Sequence, residues 1–380
     1  MTTTTEFYSP GLDGVIAGET AISSVEQGNL LYRGYEIAEL AEHASFEECA
    51  YLLLHGELPS RAHLDAFRAA LDAERTLPEP VLAALRQIPV QADLMDALRT
   101  GLSLTAHYDP RGTTVHASAS PPELLRAQAV RVLAQVPTLI GALVQLRAGR
   151  APLAPREGLS HAAQLCHLIL GRTPEPLAER VLNLTLILYA EHEFNASTFA
   201  ARVCASTRSD LYSAVVAAVA TLKGPLHGGA NEQAIELINR FDSAAAARQW
   251  VLDALARKEL VMGFGHRVYK NGDHRARILE RYVEQLGQER GAATRVAVYH
   301  AIKNTVWEQK QLHPNLDFPC GLVYFLLDLP IATYTPIFVA SRVSGWCAHV
   351  IEQAAANRII RPRSRYSGPP ARPYVPIDRR

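Results

Sequence analysis

Apolar residues recur at three- and four-residue spacing through most of this chain, and alternation with a period of two is almost absent. That bias commits the chain to packed helices. Ser45-Phe46-Glu47-Glu48 reads as a capping box, with Cys49, Leu52 and Leu53 following on one face and Gly56 ending the turn. Leu64, Phe67 and Leu71 repeat at helical spacing after Ser60. Ser120-Pro121-Pro122-Glu123 opens a helix expected to reach about Gly149, with a kink at Pro137. Further helical periodicity covers about 160–170, 176–191, 209–222, 230–240, 243–257, 273–288, 291–309 and 334–357. Strand signals are few, and residues 12–17 and 28–33 read as a short hairpin.

With 380 residues, of which 48% are apolar and 20% charged, the chain buries a sizeable core and is too apolar for disorder. The length suggests about two domains. The glycine-rich joint near 224–229 is the expected boundary, giving a large domain over 1–225, a small one over 226–328, and a return to the large domain with a C-terminal arm over 329–380. The 38 basic and 38 acidic residues cancel, which argues against a surface built for nucleic acid or anionic membrane. Apolar runs such as Val181 to Ala190 fall short of the roughly 18 residues of a membrane span, and Met1 to Phe7 shows no signal-peptide pattern. Five scattered cysteines, Cys49, Cys166, Cys204, Cys320 and Cys347, fit reduced thiols in the cytoplasm.

Three segments place an ionisable residue beside glycine or proline, where loops expose side chains. In Lys223-Gly224-Pro225-Leu226-His227-Gly228-Gly229, a histidine before a helix start favours a neutral ring that donates a hydrogen bond, against a plain capping or packing role. Gly263-Phe264-Gly265-His266-Arg267-Val268-Tyr269-Lys270, with Asp273-His274-Arg275, lacks the third glycine of a dinucleotide fingerprint. It reads as a loop whose histidine and cations suit an anionic ligand, or as a solvated basic turn. In His313-Pro314-Asn315-Leu316-Asp317-Phe318-Pro319-Cys320-Gly321, an aspartate among apolar residues is a candidate base with a raised pKa, or a helix cap. Glu191-His192-Glu193 lacks the spacing that puts two histidines on one helical face, so no metal site is expected. A carboxylate base, two histidines and several arginines would suit carbon–carbon bond formation from a thioester.

Four strings, Glu191-His192-Glu193-Phe194-Asn195-Ala196-Ser197-Thr198, Gly224 to Asn231, Gly263 to Tyr269 and Pro314 to Phe318, stand in the order of the citrate synthase family's motifs, and the chain resembles that family over nearly its whole length. The resemblance implies a mainly α-helical fold of a large and a small domain closing over substrate. It implies a homodimer acting on oxaloacetate and acetyl-CoA, with no metal or other cofactor. By it, Asp317 is the base, His227 donates to the thioester oxygen, and His266 hydrogen-bonds the oxaloacetate carbonyl. His192, Arg275 and Arg342 bind oxaloacetate, joined by Arg361 from the neighbouring subunit. Val261, Met262, Gly263, Phe264, Lys270 and Lys310 match positions that contact coenzyme A. Two alternatives stand beside this reading: a 2-methylcitrate synthase using propionyl-CoA, and an inactive helical scaffold or regulator. Pro319-Cys320 stands where the family often has Tyr-Ser, and His274 replaces the usual proline of Asp-Pro-Arg.

Overall fold

Helix-start chemistry accounts for much of the architecture in the computed structural model, which describes residues 8–25, 29–112, 121–265, 269 and 271–380. In chain order the elements are β1 (Ser23–Ser24), β2 (Leu31–Tyr32), β3 (Tyr35–Glu36), α1 (Ile37–His43), α2 (Phe46–His55), α3 (Arg61–Glu74), α4 (Glu79–Leu85), α5 (Leu94–Ala106), α6 (Pro122–Arg147), α7 (His161–Leu170) and α8 (Pro176–Tyr189). Then follow α9 (Ala196–Ser206), α10 (Leu211–Leu222), α11 (Ala230–Asn239), α12 (Ala244–Ala256), α13 (His274–Glu289), α14 (Ala293–Lys310), α15 (Asp317–Leu326) and α16 (Tyr334–Ala355). The capping box at Ser45 forms as its sequence implies, and α2 ends at Gly56 in a left-handed cap. Ser60, Asp93, Ser160, Asn195, Asp210, Ser243 and Asp273 each accept an amide at the first turn of their helix.

The expected hairpin is corrected. Residues 12–17 form no strand; β2 lies within the expected 28–33 strand and pairs antiparallel with β1 on one side and β3 on the other. Arg33 and Gly34 take positive φ, 50° and 90°, and this tight turn folds β3 back onto β2. A sequence pattern of apolar alternation misses such a sheet because each strand is two residues long.

Helix α16 is buried almost all round and packs on α2, α6, α8, α9 and α10. A second cluster forms where α11 packs on α14 and α15, α12 on α14, and α13 on α14 and α15. Helix α6 runs uninterrupted through Pro137 and, against the expectation from the shorter runs, is long and apolar enough by length and composition to cross a membrane. Its apolar surface is covered by protein instead, and its buried Arg131 pairs with Glu74 of α3.

Helix α6 meets α7 at Gly141, where an added Cβ would lie 2.5 Å from Leu168 Cβ and 2.9 Å from its carbonyl oxygen. Since the blocking atoms include backbone, Gly141→Ala is expected to destabilise the chain by about 2–3 kcal/mol. Urea unfolding of the variant and its parent measures that difference.

Candidate active site

His227 sits in the turn between α10 and α11, held by backbone bonds from Gly228 N to Leu222 O (2.9 Å) and His227 N to Gly224 O (2.9 Å). An added Cβ at Gly228 would lie 2.3 Å from Leu222 O, so glycine is what lets this turn close. The His227 Nε2 atom faces Ser197, with the hydroxyl at 2.8 Å and the backbone amide at 3.3 Å. That amide can only donate, so the network assigns Nε2 as acceptor and the ring hydrogen to Nδ1. Trp346 Nε1 donates to the same Ser197 oxygen at 3.1 Å. Burial, and then the nearby positive charge of Arg342, push the His227 pKa down to about 4. The ring is therefore neutral at pH 7, as its position before a helix start suggested, but the causes are burial and Arg342.

Asp317 is the first residue of α15, one position inside the helix rather than its cap. Tyr189, the last residue of α8, donates its hydroxyl to Asp317 Oδ1 at 2.7 Å. Burial raises the Asp317 pKa to about 6, outweighing that hydrogen bond and the attraction of Arg275 and Arg342; the neighbouring Asp273 adds to the rise. Pro319 fits within the first helical turn, where a missing N–H leaves no bond unmade. Cys320 is fully buried beneath it, and its thiol pKa is pushed up by that burial.

Two buried arginines frame this carboxylate. Arg275 holds Asp273 in a two-pronged pair, Nε to Oδ1 at 3.0 Å and Nη2 to Oδ2 at 2.9 Å. Asp273 also caps the Arg275 amide (3.0 Å) and accepts Leu316 N (3.1 Å), tying the start of α13 to the residue preceding Asp317. Arg342, on α16, donates Nε to the Tyr189 carbonyl at 2.5 Å and lies 4.8 Å from the Phe338 ring centroid. Phe338 in turn packs on Tyr189 (4.2 Å between centroids) and faces His227 (6.2 Å). His192, between α8 and α9, shares a 2.9 Å hydrogen bond with the Tyr269 hydroxyl, and Arg275 lies over the Tyr269 ring at 5.6 Å.

His192, His227, Arg275, Asp317 and Arg342 thus converge on one buried neighbourhood. Beside it, Gly263 takes φ +87°, and an added Cβ there would stand 2.8 Å from Phe318 Cβ. Its carbonyl accepts Asn315 N (2.9 Å), Gly265 N donates to His313 O (2.9 Å), and the Phe264 ring lies 4.6 Å from that of Phe318. Gly263, Phe264 and Gly265, which follow Val261 and Met262, are therefore fixed against the loop that carries Asp317. Lys310 ends α14 exposed, and Arg361 is exposed in the C-terminal segment. His266 and Lys270 lie outside the described residues. Among the described residues, no three His, Cys, Asp or Glu side chains group as a metal site would require.

Tyr189, Ser197, Asp273 and Phe338 carry much of this geometry, yet sequence reasoning gave none of them a role. Tyr189 carries one signal: a buried tyrosine at a helix end needs a partner for its hydroxyl.

A family profile described as "Citrate synthase, C-terminal domain" matches residues 11–363. Citrate synthase of Mycolicibacterium smegmatis is 43% identical over 381 residues, covering 99% of this chain and 100% of that one. A 2-methylcitrate synthase of Mycobacterium tuberculosis is also 43% identical, covering 94% of this chain and 90% of its own. Among solved structures, citrate synthase from Pyrobaculum aerophilum superposes with a TM-score of 0.90 at 38% identity, covering 97% of this chain and 94% of that one. The Thermoplasma acidophilum citrate synthase, a ternary complex with carboxymethyl coenzyme A and oxaloacetate, gives 0.91 at 32% identity, covering 98% and 100%. With a profile match across nearly the whole chain and relatives of this identity and coverage, the chain belongs to the citrate synthase family, enzymes of the acyltransferase type.

Proposed function

We propose that this chain condenses acetyl-CoA with oxaloacetate and hydrolyses the resulting citryl-CoA to citrate and free coenzyme A. The observation that carries the reading is the pairing of a carboxyl whose pKa is raised to about 6 with a histidine held neutral, both beside buried arginines. The Asp317 carboxylate takes a proton from the acetyl methyl group while His227 Nδ1–H donates to the thioester oxygen, and the enol forms between them. The enol carbon attacks the oxaloacetate carbonyl carbon. His266 hydrogen-bonds that carbonyl and gives the new alkoxide its proton. Water then cleaves the thioester and the coenzyme A thiol leaves. None of these steps calls on a metal.

His192, Arg275 and Arg342 take the oxaloacetate carboxylates, where guanidinium groups offer paired N–H donors. Arg361 comes from a second copy in a homodimer, and its exposure in the single chain supports that assignment. Val261 to Phe264 receive the coenzyme with Lys270 and Lys310, and closure of a small domain over 226–328 excludes water. Five unpaired cysteines support a reducing, cytoplasmic setting.

Propionyl-CoA is the second reading, because a relative named 2-methylcitrate synthase matches at the same identity as one named citrate synthase. One methylene is worth only about 1–3 kcal/mol of discrimination. Thiol release from acetyl-CoA is expected to depend on added oxaloacetate, with a higher kcat/KM than for propionyl-CoA. The opposite order makes the chain a 2-methylcitrate synthase. No oxaloacetate-dependent thiol from either substrate favours the inactive scaffold.

A further inference from the structure

Glu193, the residue after His192, takes φ +47°, a left-handed conformation that a glutamate rarely adopts without outside support. The support comes from the N-terminal strand. Ser23 Oγ accepts Glu193 N at 2.9 Å, and Val25 N donates to Glu193 Oε1 at 2.7 Å. The Ser23 hydroxyl also donates to Glu191 Oε1 at 3.0 Å. One serine therefore pins the residues on both sides of His192, and it is 93% shielded from solvent while doing so, with 7% exposed.

Glu191 is fully buried, and the same Oε1 receives His349 Nε2 at 2.8 Å. His349 Nδ1 faces Arg202 Nη1 at 2.9 Å; a guanidinium only donates, so the ring hydrogen of His349 lies on Nε2 and points to Glu191. The other carboxylate oxygen presses on Gly345, where an added Cβ would lie 2.3 Å from Oε2 and 2.4 Å from Ala190 O. Gly345 stands one turn beyond Arg342 on α16, and Arg342 itself is bound to the Tyr189 carbonyl. The segment 189–191 is thus the seat on which α16 presents Arg342, and its hydrogen bonds fix that seat from two directions.

We propose that Ser23, Glu191 and His349 are positioning residues that hold His192 and Arg342 in register for a dicarboxylate acceptor, setting its affinity without touching it. This rests on the assignment of those two groups to oxaloacetate made above. Positioning of this kind is expected to act mainly on one substrate, since the groups assigned above to acyl-CoA, His227, Val261 to Phe264, Lys270, Lys310 and Asp317, stand on other segments.

Calorimetric titration of the full-length protein with oxaloacetate, alongside steady-state kinetics, tests it. Ser23→Ala is expected to raise the oxaloacetate Kd and KM about tenfold. The KM for acyl-CoA and kcat at saturating oxaloacetate stay within about threefold, as a local displacement predicts. Ser23→Thr, which keeps the hydroxyl, recovers most of the affinity. His349→Asn, which withdraws the donor from Glu191, weakens oxaloacetate in the same selective way. An oxaloacetate Kd within twofold of the parent in Ser23→Ala overturns the proposal, and so does an equal rise in both KM values, which marks general loosening. A parent protein that binds no oxaloacetate overturns the proposed function and this inference with it, a result distinct from either.

Discussion

Asp317→Ala is expected to lower kcat by about 10³–10⁴-fold while the protein still binds oxaloacetate, because it removes the proposed general base and leaves the arginines and His192 in place. Single-turnover thiol release and calorimetry on the same preparation separate the two effects; near-normal turnover would refute the role. The pH dependence of the parent carries the same assignment. In the proposed role the active form of Asp317 is the carboxylate, and its pKa is raised to about 6. Activity is therefore full above that value and falls as pH drops through it, roughly tenfold per unit below. His227, with a pKa near 4, stays neutral across this limb and adds no inflection there. A carboxyl at an ordinary pKa would place the limb near 4 instead, two units lower.

The contrast between Asp317 and Tyr189 explains what the sequence disclosed. Asp317, His227 and the loop at Gly263 were legible because glycine and proline flank each, and such residues mark places where backbone departs from regular helix and exposes a side chain. Tyr189 lies near the end of a mostly apolar run, Val181 to Ala190, broken only by Asn183 and Thr185; its hydroxyl signals that a partner is needed, but not that the partner is Asp317. Its role is created by a contact across 128 residues of chain, between the end of α8 and the start of α15. Ser23 and Ser197 were hidden for the same reason: each acts through partners distant in sequence, His227 being 30 residues from Ser197 and Glu191 168 from Ser23. Helices were readable from period and caps, whereas the small sheet depended on a turn at Arg33-Gly34 that no apolar pattern announces.

His227→Ala carries the second large effect, and its size reports how the enol is made. A neutral imidazole donating from Nδ1 stabilises the oxygen as negative charge grows on it, and removing one such preorganised donor costs about 10²–10³ in kcat. The orientation of the ring depends on Ser197, which is itself held by Trp346 Nε1 and by the cap residue Asn195, whose Oδ1 lies 2.8 Å from the Ser197 hydroxyl. Ser197→Ala leaves the imidazole in place but removes the hydroxyl facing Nε2, so its loss is expected to be smaller, about tenfold in kcat, with the oxaloacetate Kd unchanged. Exchange of the methyl protons of acetyl-CoA into deuterated solvent, followed with a non-reacting oxaloacetate analogue bound, distinguishes the groups. Both Asp317→Ala and His227→Ala lose exchange, because proton removal and enol stabilisation are one step. A His227→Ala enzyme that exchanges at the parent rate while failing to condense would assign the histidine to a later step, thioester hydrolysis among them.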